Sequence, residues 1–164
     1  MIIKEIAGRR SVRAYKPDPV SDKDISEIIK AAEFAPSGRH LRPVEYVIVK
    51  DRKTKDALFA ILGDDFIRQT PVLIIPAGDT QKSALTVQDI SIASGYIFLQ
   101  AYSLGLGTVW KNINTENAAK IREVLGIPEH FAIINVIPLG YPAENLPPHD
   151  DGEFETSKIH EERF

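Results

Sequence analysis

The stretch from about Leu85 to Leu104 constrains this chain most. It contains no proline and carries Leu85, Val87, Ile90, Ile92, Ala93, Ile97, Phe98, Leu99, Ala101 and Leu104. Its spacing predicts a helix that is apolar on most of its circumference. A helix of that kind is buried in the middle of something. Two burials are open: against a second subunit, or as the central helix of a monomer. Ser91, Ala93, Ser94 and Gly95 would let another element approach closely. At 164 residues with 43% apolar side chains, the chain is long enough for one domain with its own core.

Charge and composition exclude several classes of function. Net charge is −3, so general nucleic-acid binding is not expected. The absence of cysteine removes disulfides, thiolate nucleophiles and cysteine-ligated metals or clusters. Met1-Ile2-Ile3-Lys4-Glu5 lacks the apolar core of a signal peptide, and no uncharged apolar run reaches membrane length. A soluble cytoplasmic protein without a membrane partner is therefore expected. His40, His130, His149 and His160 show no metal-ligand spacing.

Around the central helix the other elements are short. Residues 2–8 read as a helix with Ile2, Ile3 and Ile6 on one side. Ser21, with Asp24 three residues on, reads as the N-cap of a helix carrying Ile25, Ile28, Ile29 and Ala32, and stopping at Pro36. Pro36 to Pro43 is a proline-bounded loop. Strands are predicted at 44–49, 72–75, 108–110 and 132–139, with Pro138 suggesting an edge or a bulge in the last. A helix fits 53–62 before Gly63. Another fits 116–125, capped by Thr115 and closed by Gly126 and Pro128. Helices and strands interleave, so the class is mixed α and β, an α+β fold. Residues 1–142 form the domain. Residues 143–164, with Pro147, Pro148 and Asp150-Asp151-Gly152, carry little core; this tail is disordered or lies on another surface.

The chemistry concentrates in Arg9-Arg10-Ser11-Val12-Arg13, where three guanidinium groups and a hydroxyl fall within five residues. Guanidinium groups hold phosphate through bidentate, charge-assisted hydrogen bonds, and serine adds a donor. The cluster is either a phosphate cradle or a solvated basic turn. Gly105-Leu106-Gly107-Thr108 lacks the third glycine of a dinucleotide fingerprint and follows a helix where that fingerprint needs a strand. There is no P-loop and no nucleophile elbow.

Four stretches taken in order carry a resemblance. They are Arg9-Arg10-Ser11-Val12-Arg13; Ala35-Pro36-Ser37 through Arg42-Pro43 leading into a strand; Pro71 to Ile75, followed by Asp89 and a long helix ending Leu104-Gly105-Leu106-Gly107-Thr108-Val109-Trp110; and Leu125-Gly126-Ile127-Pro128 before Leu139-Gly140-Tyr141-Pro142. Together they cover nearly the whole chain, which resembles a small member of the nitroreductase-like, FMN-dependent oxidoreductases.

That resemblance implies a homodimer in which a central mixed sheet is flanked by helices. Long helices would pack at the interface, FMN would lie between subunits, and the 143–164 tails would reach the partner. NADH or NADPH would give a hydride to flavin N5, and an electron-poor small-molecule acceptor such as a nitroaromatic or quinone would take it away. Nothing in the sequence chooses between the two nucleotides. Arg9 and Ser11 would meet the FMN phosphate, with Arg10 beside them, and Arg13 would reach the pyrimidine edge. Pro36, Ser37 and Gly38 would line the ring from the partner, and Val109, Trp110, Lys111 and Asn112 would run beside it. Trp110 has the alternative of a core aromatic. His40 and Arg42 stand where the family usually has Asn and Gln at the ribityl chain or ring edge. The tail lacks the Lys or Arg often found after the Gly-Tyr-Pro turn, and Arg42 is a candidate to replace that cation or to point to solvent. A flavin-binding or interaction protein with little or no turnover is the alternative function.

Overall fold

The computed structural model describes residues 2–164. Helix α1 (Lys4–Gly8) opens the chain, two residues later than the spacing of Ile2, Ile3 and Ile6 suggests. Ile2, Ile3 and Ile6 are all exposed. Helix α2 (Asp22–Glu33) begins where expected, and the Ser21 hydroxyl accepts from the Asp24 N–H at 3.0 Å. After strand β1 (Val44–Val49) come α3 (Arg52–Leu62) and a five-residue α4 (Asp65–Gln69) that the sequence pattern did not announce. Strand β2 (Val72–Asp79) runs four residues beyond Ile75. Helix α5 (Thr86–Ser103) is the long one, followed by β3 (Gly107–Thr108) and β4 (Lys111–Asn112). Helix α6 (Thr115–Leu125), β5 (Phe131–Ala132) and β6 (Asn135–Gly140) complete the fold. Asn114, rather than Thr115, caps α6: its side-chain oxygen accepts from the Asn117 N–H at 2.8 Å. Gly63 and Gly126 end α3 and α6 with φ of 79° and 66°, a conformation a Cβ disfavours.

The sheet order is β1-β2-β6-β3, with β4 also paired to β6 and β5 to β2. All ladders between named strands are antiparallel. The parallel component is a bridge between Ser11 and Thr108, which makes the sheet mixed. Strand alternation divides β2 between two cores. Leu73, Ile75 and Ala77 pack with Leu58, Ile67 and Ile121 of α3, α4 and α6. Val72 and Ile74 pack with Ile28 of α2 and Ala93, Ile97 and Ala101 of α5. The architecture is thus helices on both faces of one sheet.

Helix α5 is not buried all round. Ile90, Ala93, Ser94, Ile97 and Ala101 face the core, whereas Val87, Ile92, Tyr96 and Tyr102 are exposed. Pro138 is not on an edge either, because β6 has neighbours on both sides. Its effect is on the ladder. Thr108 pairs with Leu139 and Lys111 with Val136, one continuous register. Between them, opposite Pro138 and Ile137, strand pairing lapses over Val109 and Trp110. Proline has no N–H to give to a neighbouring strand.

Candidate functional site

The arginine cluster leaves α1 and runs along the sheet. An added Cβ on Gly8 would fall 1.9 Å from the Tyr102 hydroxyl, so glycine lets α1 cross the end of α5. Beyond it, Ser11 bridges Thr108, the Val12 N–H donates to the Thr108 carbonyl at 2.9 Å, and Tyr15 bridges Pro142. Gly107 makes room for this, since its Cβ would lie 2.6 Å from Val12 Cγ2. The phosphate-cradle candidates and the Gly107–Asn112 run, separated by almost a hundred residues of chain, therefore form one surface.

Residues 143–149 close over that surface as a strap. The Ala143 N–H donates to the Ala14 carbonyl at 2.9 Å, and the His149 N–H to the Ala7 carbonyl at 2.8 Å. Arg10 Nη1 donates to the Pro147 carbonyl at 2.6 Å. Glu144 Oε1 accepts from the N–H groups of Arg13 (2.8 Å) and Ala14 (3.3 Å). Between strap and cluster lies a cleft of about 320 Å³, lined among others by Arg9, Arg10, Tyr102, Thr108 and Leu146. Among the described residues, no hydrogen bond or ion pair engages the Arg9 guanidinium or the Ser11 hydroxyl. Arg13 is exposed, and among the described residues its guanidinium makes one hydrogen bond, to the Ser11 carbonyl at 3.4 Å. Burial first, and the Glu144 carboxylate second, push the Tyr15 phenol far above its usual range. It stays neutral and donates to the Val12 carbonyl at 2.6 Å.

The adjoining run is anchored from the helix side. Trp110 meets Phe98 of α5 edge to face, with centroids 6.3 Å apart, and Phe98 lines the same cleft. Trp110 is thus a half-buried packing aromatic at the edge of the cleft. Lys111 is ion-paired with Asp64 from the turn before α4. Asn112 is exposed and pairs with the buried Asn135, whose amide donates to Ser94 Oγ at 3.0 Å. Val109 is buried at 4% exposure.

The third stretch lies elsewhere. Pro36, Ser37 and Gly38 lead into a turn (Gly38–His40) at the start of α5. The carboxylate of buried Asp89 holds it: Oδ1 accepts from the Gly38 N–H and Oδ2 from Ser83 Oγ, each at 2.8 Å. Arg39, His40 and Arg42 all adopt left-handed backbone, with φ of 51°, 59° and 48°. That conformation costs a non-glycine residue about 1–2 kcal/mol. Three such residues within four positions mark a segment held by its surroundings. The Arg42 N–H donates to Ser37 Oγ at 2.9 Å, and its guanidinium sits 3.2 Å from Glu33. A cleft of about 270 Å³ opens here, lined among others by Pro36, Ser37, Arg42, Tyr46 and Asp89. Burial, and then the Glu33 carboxylate, push the Tyr46 phenol up to about 12.

One protomer thus brings Arg9, Arg10, Ser11 and Arg13 together with Val109, Trp110, Lys111 and Asn112. It does not bring Pro36, Ser37, Gly38, His40 and Arg42 to them. The clefts share no lining residue. They mark opposite ends of α5, with Asp89 at one and Phe98 and Tyr102 at the other, some 14–20 Å apart along the axis. Glu144 and the strap had no sequence signal, because their contacts cross more than a hundred residues. Asp89 stood in the sequence pattern without a role. Among the described residues no group of His, Asp and Glu is placed to hold a metal ion, and no helix is long and apolar enough to cross a membrane.

Against known proteins, the profile of the Nitroreductase family matches residues 6–65 and 60–141. This chain belongs to the nitroreductase family. An Archaeoglobus fulgidus protein, named provisionally as an NADH dehydrogenase/NAD(P)H nitroreductase, is 34% identical over 170 residues, covering 99% of this chain and 98% of that one. The FMN reductase [NAD(P)H] of Bacillus subtilis is 26% identical, aligned over 87% of this chain and 66% of its own length. Among solved structures, an FMN-dependent nitroreductase of Clostridium difficile superposes with a TM-score of 0.93 at 31% identity, over 99% of this chain and 100% of that one. The expected nitroreductase-like α+β fold is the observed one.

Proposed function

We propose that this nitroreductase-family protein is an FMN-dependent NAD(P)H oxidoreductase that passes a hydride to an electron-poor small molecule such as a nitroaromatic or quinone. The observation that carries the proposal is the joining of the arginine cluster to the Gly107–Asn112 run beneath the strap. The donor set fits a flavin phosphate. Arg9 supplies an unengaged guanidinium and Ser11 an unengaged hydroxyl, while Glu144, the nearby anion, is already held by two backbone N–H groups. When bound, FMN supplies the redox chemistry by accepting a hydride from NAD(P)H and releasing it to the acceptor. The chain's own residues bind and orient. Arg9 and Ser11 hold the phosphate, and Arg10 is kept beside them by the Pro147 carbonyl. Arg13 places positive charge toward the pyrimidine edge. The lapse in pairing over Val109 and Trp110 leaves that backbone available to polar edges of a ring.

We further propose that Pro36, Ser37, Gly38, His40 and Arg42 complete the site from a second copy, since they cannot reach it within one protomer. Ile2, Ile3, Ile6, Leu85, Ile92 and Tyr96 expose large apolar side chains that a second copy would cover. Residues 150–164 are exposed throughout, with Phe154, Ile159 and Phe164 bare. They are suited to lie on the partner. The same reading takes the protein as a cytoplasmic homodimer without nucleic-acid or membrane partners.

The test is direct. Purified protein is expected to be yellow, to bleach anaerobically with NADH or NADPH, and to regain its colour with menadione or a nitroaromatic. Sedimentation at micromolar concentration is expected to give a dimer. Yellow protein that neither nucleotide reduces is a flavin-binding protein without turnover, and the oxidoreductase assignment is then wrong.

A further inference from the structure

The left-handed turn after Gly38 carries one side chain, that of Arg39, to which the flavin site gives no role. Arg39 and His40 occupy backbone conformations that favour glycine or asparagine, at φ of 51° and 59°. Both are exposed, and among the described residues neither side chain has a hydrogen bond or ion pair. Arg42, third in the turn, is partly neutralised by Glu33 at 3.2 Å. The unspent positive charge of the loop is therefore on Arg39. The turn is fixed from beneath by Asp89 through the Gly38 N–H, so the guanidinium is presented from a defined base.

We propose that Arg39 is a substrate-binding residue that holds a phosphate of the pyridine nucleotide donor. This rests on the flavin assignment above, in which Gly38 lies against the ring. Arg39 is the next residue, one Cα step of about 3.8 Å from Gly38, and its exposed guanidinium is open to a second substrate. A pyridine nucleotide carries several negative charges toward a chain whose net charge is −3. A local guanidinium with no intramolecular partner supplies the attraction, and its planar fork matches phosphate oxygens. The phosphate is either the pyrophosphate, common to NADH and NADPH, or the ribose phosphate of NADPH alone.

The variant is Arg39→Gly, which removes the cation and relieves the left-handed backbone at once, so the fold is not put at risk. Holoenzyme is titrated calorimetrically with NAD+ and with NADP+. FMN content, melting temperature, sedimentation and reoxidation by uncharged menadione are followed beside it. Loss of one charge-assisted contact is expected to raise the dissociation constant by about one to two decades. A rise for both nucleotides assigns the pyrophosphate, and a rise for NADP+ alone the ribose phosphate. FMN content, dimer and menadione rate are expected to stay unchanged, and the melting temperature not to fall. Unchanged affinity for both nucleotides overturns the proposal. So does a parallel loss of FMN, which makes Arg39 a cofactor ligand, or loss of the dimer, which makes it an assembly contact. Wild-type protein that takes up no FMN fails at the flavin assignment itself, before Arg39 is at issue.

Discussion

Replacing Asp89 tests whether the loop before β1 is held by a single buried carboxylate. Asp89 is 3% exposed, and each of its oxygens accepts one 2.8 Å hydrogen bond, from the Gly38 N–H and from Ser83 Oγ. Asp89→Ala removes both acceptors and leaves two donors without them. Hydrogen bonds to a charged group contribute about 1.5–3 kcal/mol each, so the loss is roughly 3–6 kcal/mol. For a chain of this length that is on the order of 10 °C in melting temperature. Asp89→Asn keeps the shape. Its amide oxygen still accepts from Gly38 and its amide nitrogen can donate to Ser83, so only the charge-assisted part goes, about 1–2 kcal/mol. Urea titration of all three proteins gives the energies, and amide exchange at Gly38 shows where they act. Exchange at Gly38 is expected to accelerate much more in Asp89→Ala than in Asp89→Asn. An alanine variant within 1 kcal/mol of wild type, or one indistinguishable from the asparagine variant, would refute the reasoning.

Three further outcomes are expected. Arg9→Ala should weaken FMN binding by about one to two decades while sparing riboflavin, which has no phosphate; fluorescence titration with each flavin separates a phosphate ligand from a structural residue. Gly107→Ala should cost about 1–3 kcal/mol, because its Cβ would lie 2.6 Å from Val12 Cγ2; it should also loosen FMN by moving the arginine segment off β3. Tyr46, held neutral up to about 12, should make the fold lose stability as pH rises through its unfolded value near 10 toward 12. The unfolded phenol gives up its proton in that window and the native one does not. Absorbance titration should show late phenols, and Tyr46→Phe should shrink this alkaline limb without abolishing it, because Tyr15 is shifted in the same direction.

What the sequence made legible was local. Ser21 as a cap, β1 at 44–49, and the stop of α3 at Gly63 follow from side chains within four residues of the event they control. The Arg9–Arg13 cluster was legible as a charge pattern. Its neighbours were not, because Thr108, Glu144 and Pro147 reach it only through tertiary contact. The cap of α6 was misplaced by one residue because Asn114 and Thr115 both carry a suitable oxygen, and only the bond to the Asn117 N–H decides between them. Pro138 was read as marking an edge or a bulge; it lies on no edge, and the pairing opposite it lapses. Strand order depends on what β3 and β4 do some thirty residues earlier. Helix α5 was read as apolar nearly all round, and it is. Periodicity cannot say which part of such a surface meets its own core, and Ile92 and Tyr96 are left facing outward.

The strap has a consequence for how the cleft opens. Sheet, helices and both cores are complete once β6 ends at Gly140. The cleft beside the arginines is not. It is closed by contacts such as Arg10 to Pro147 and Arg13 to Glu144, each joining residues more than 130 positions apart. Opening of the cleft is therefore separable from loss of the fold, because the strap can lift while the sheet and both cores stay closed. Amide exchange at Ala143 and His149, whose N–H groups bond to the Ala14 and Ala7 carbonyls, should consequently be faster than along the β2–β6 ladder.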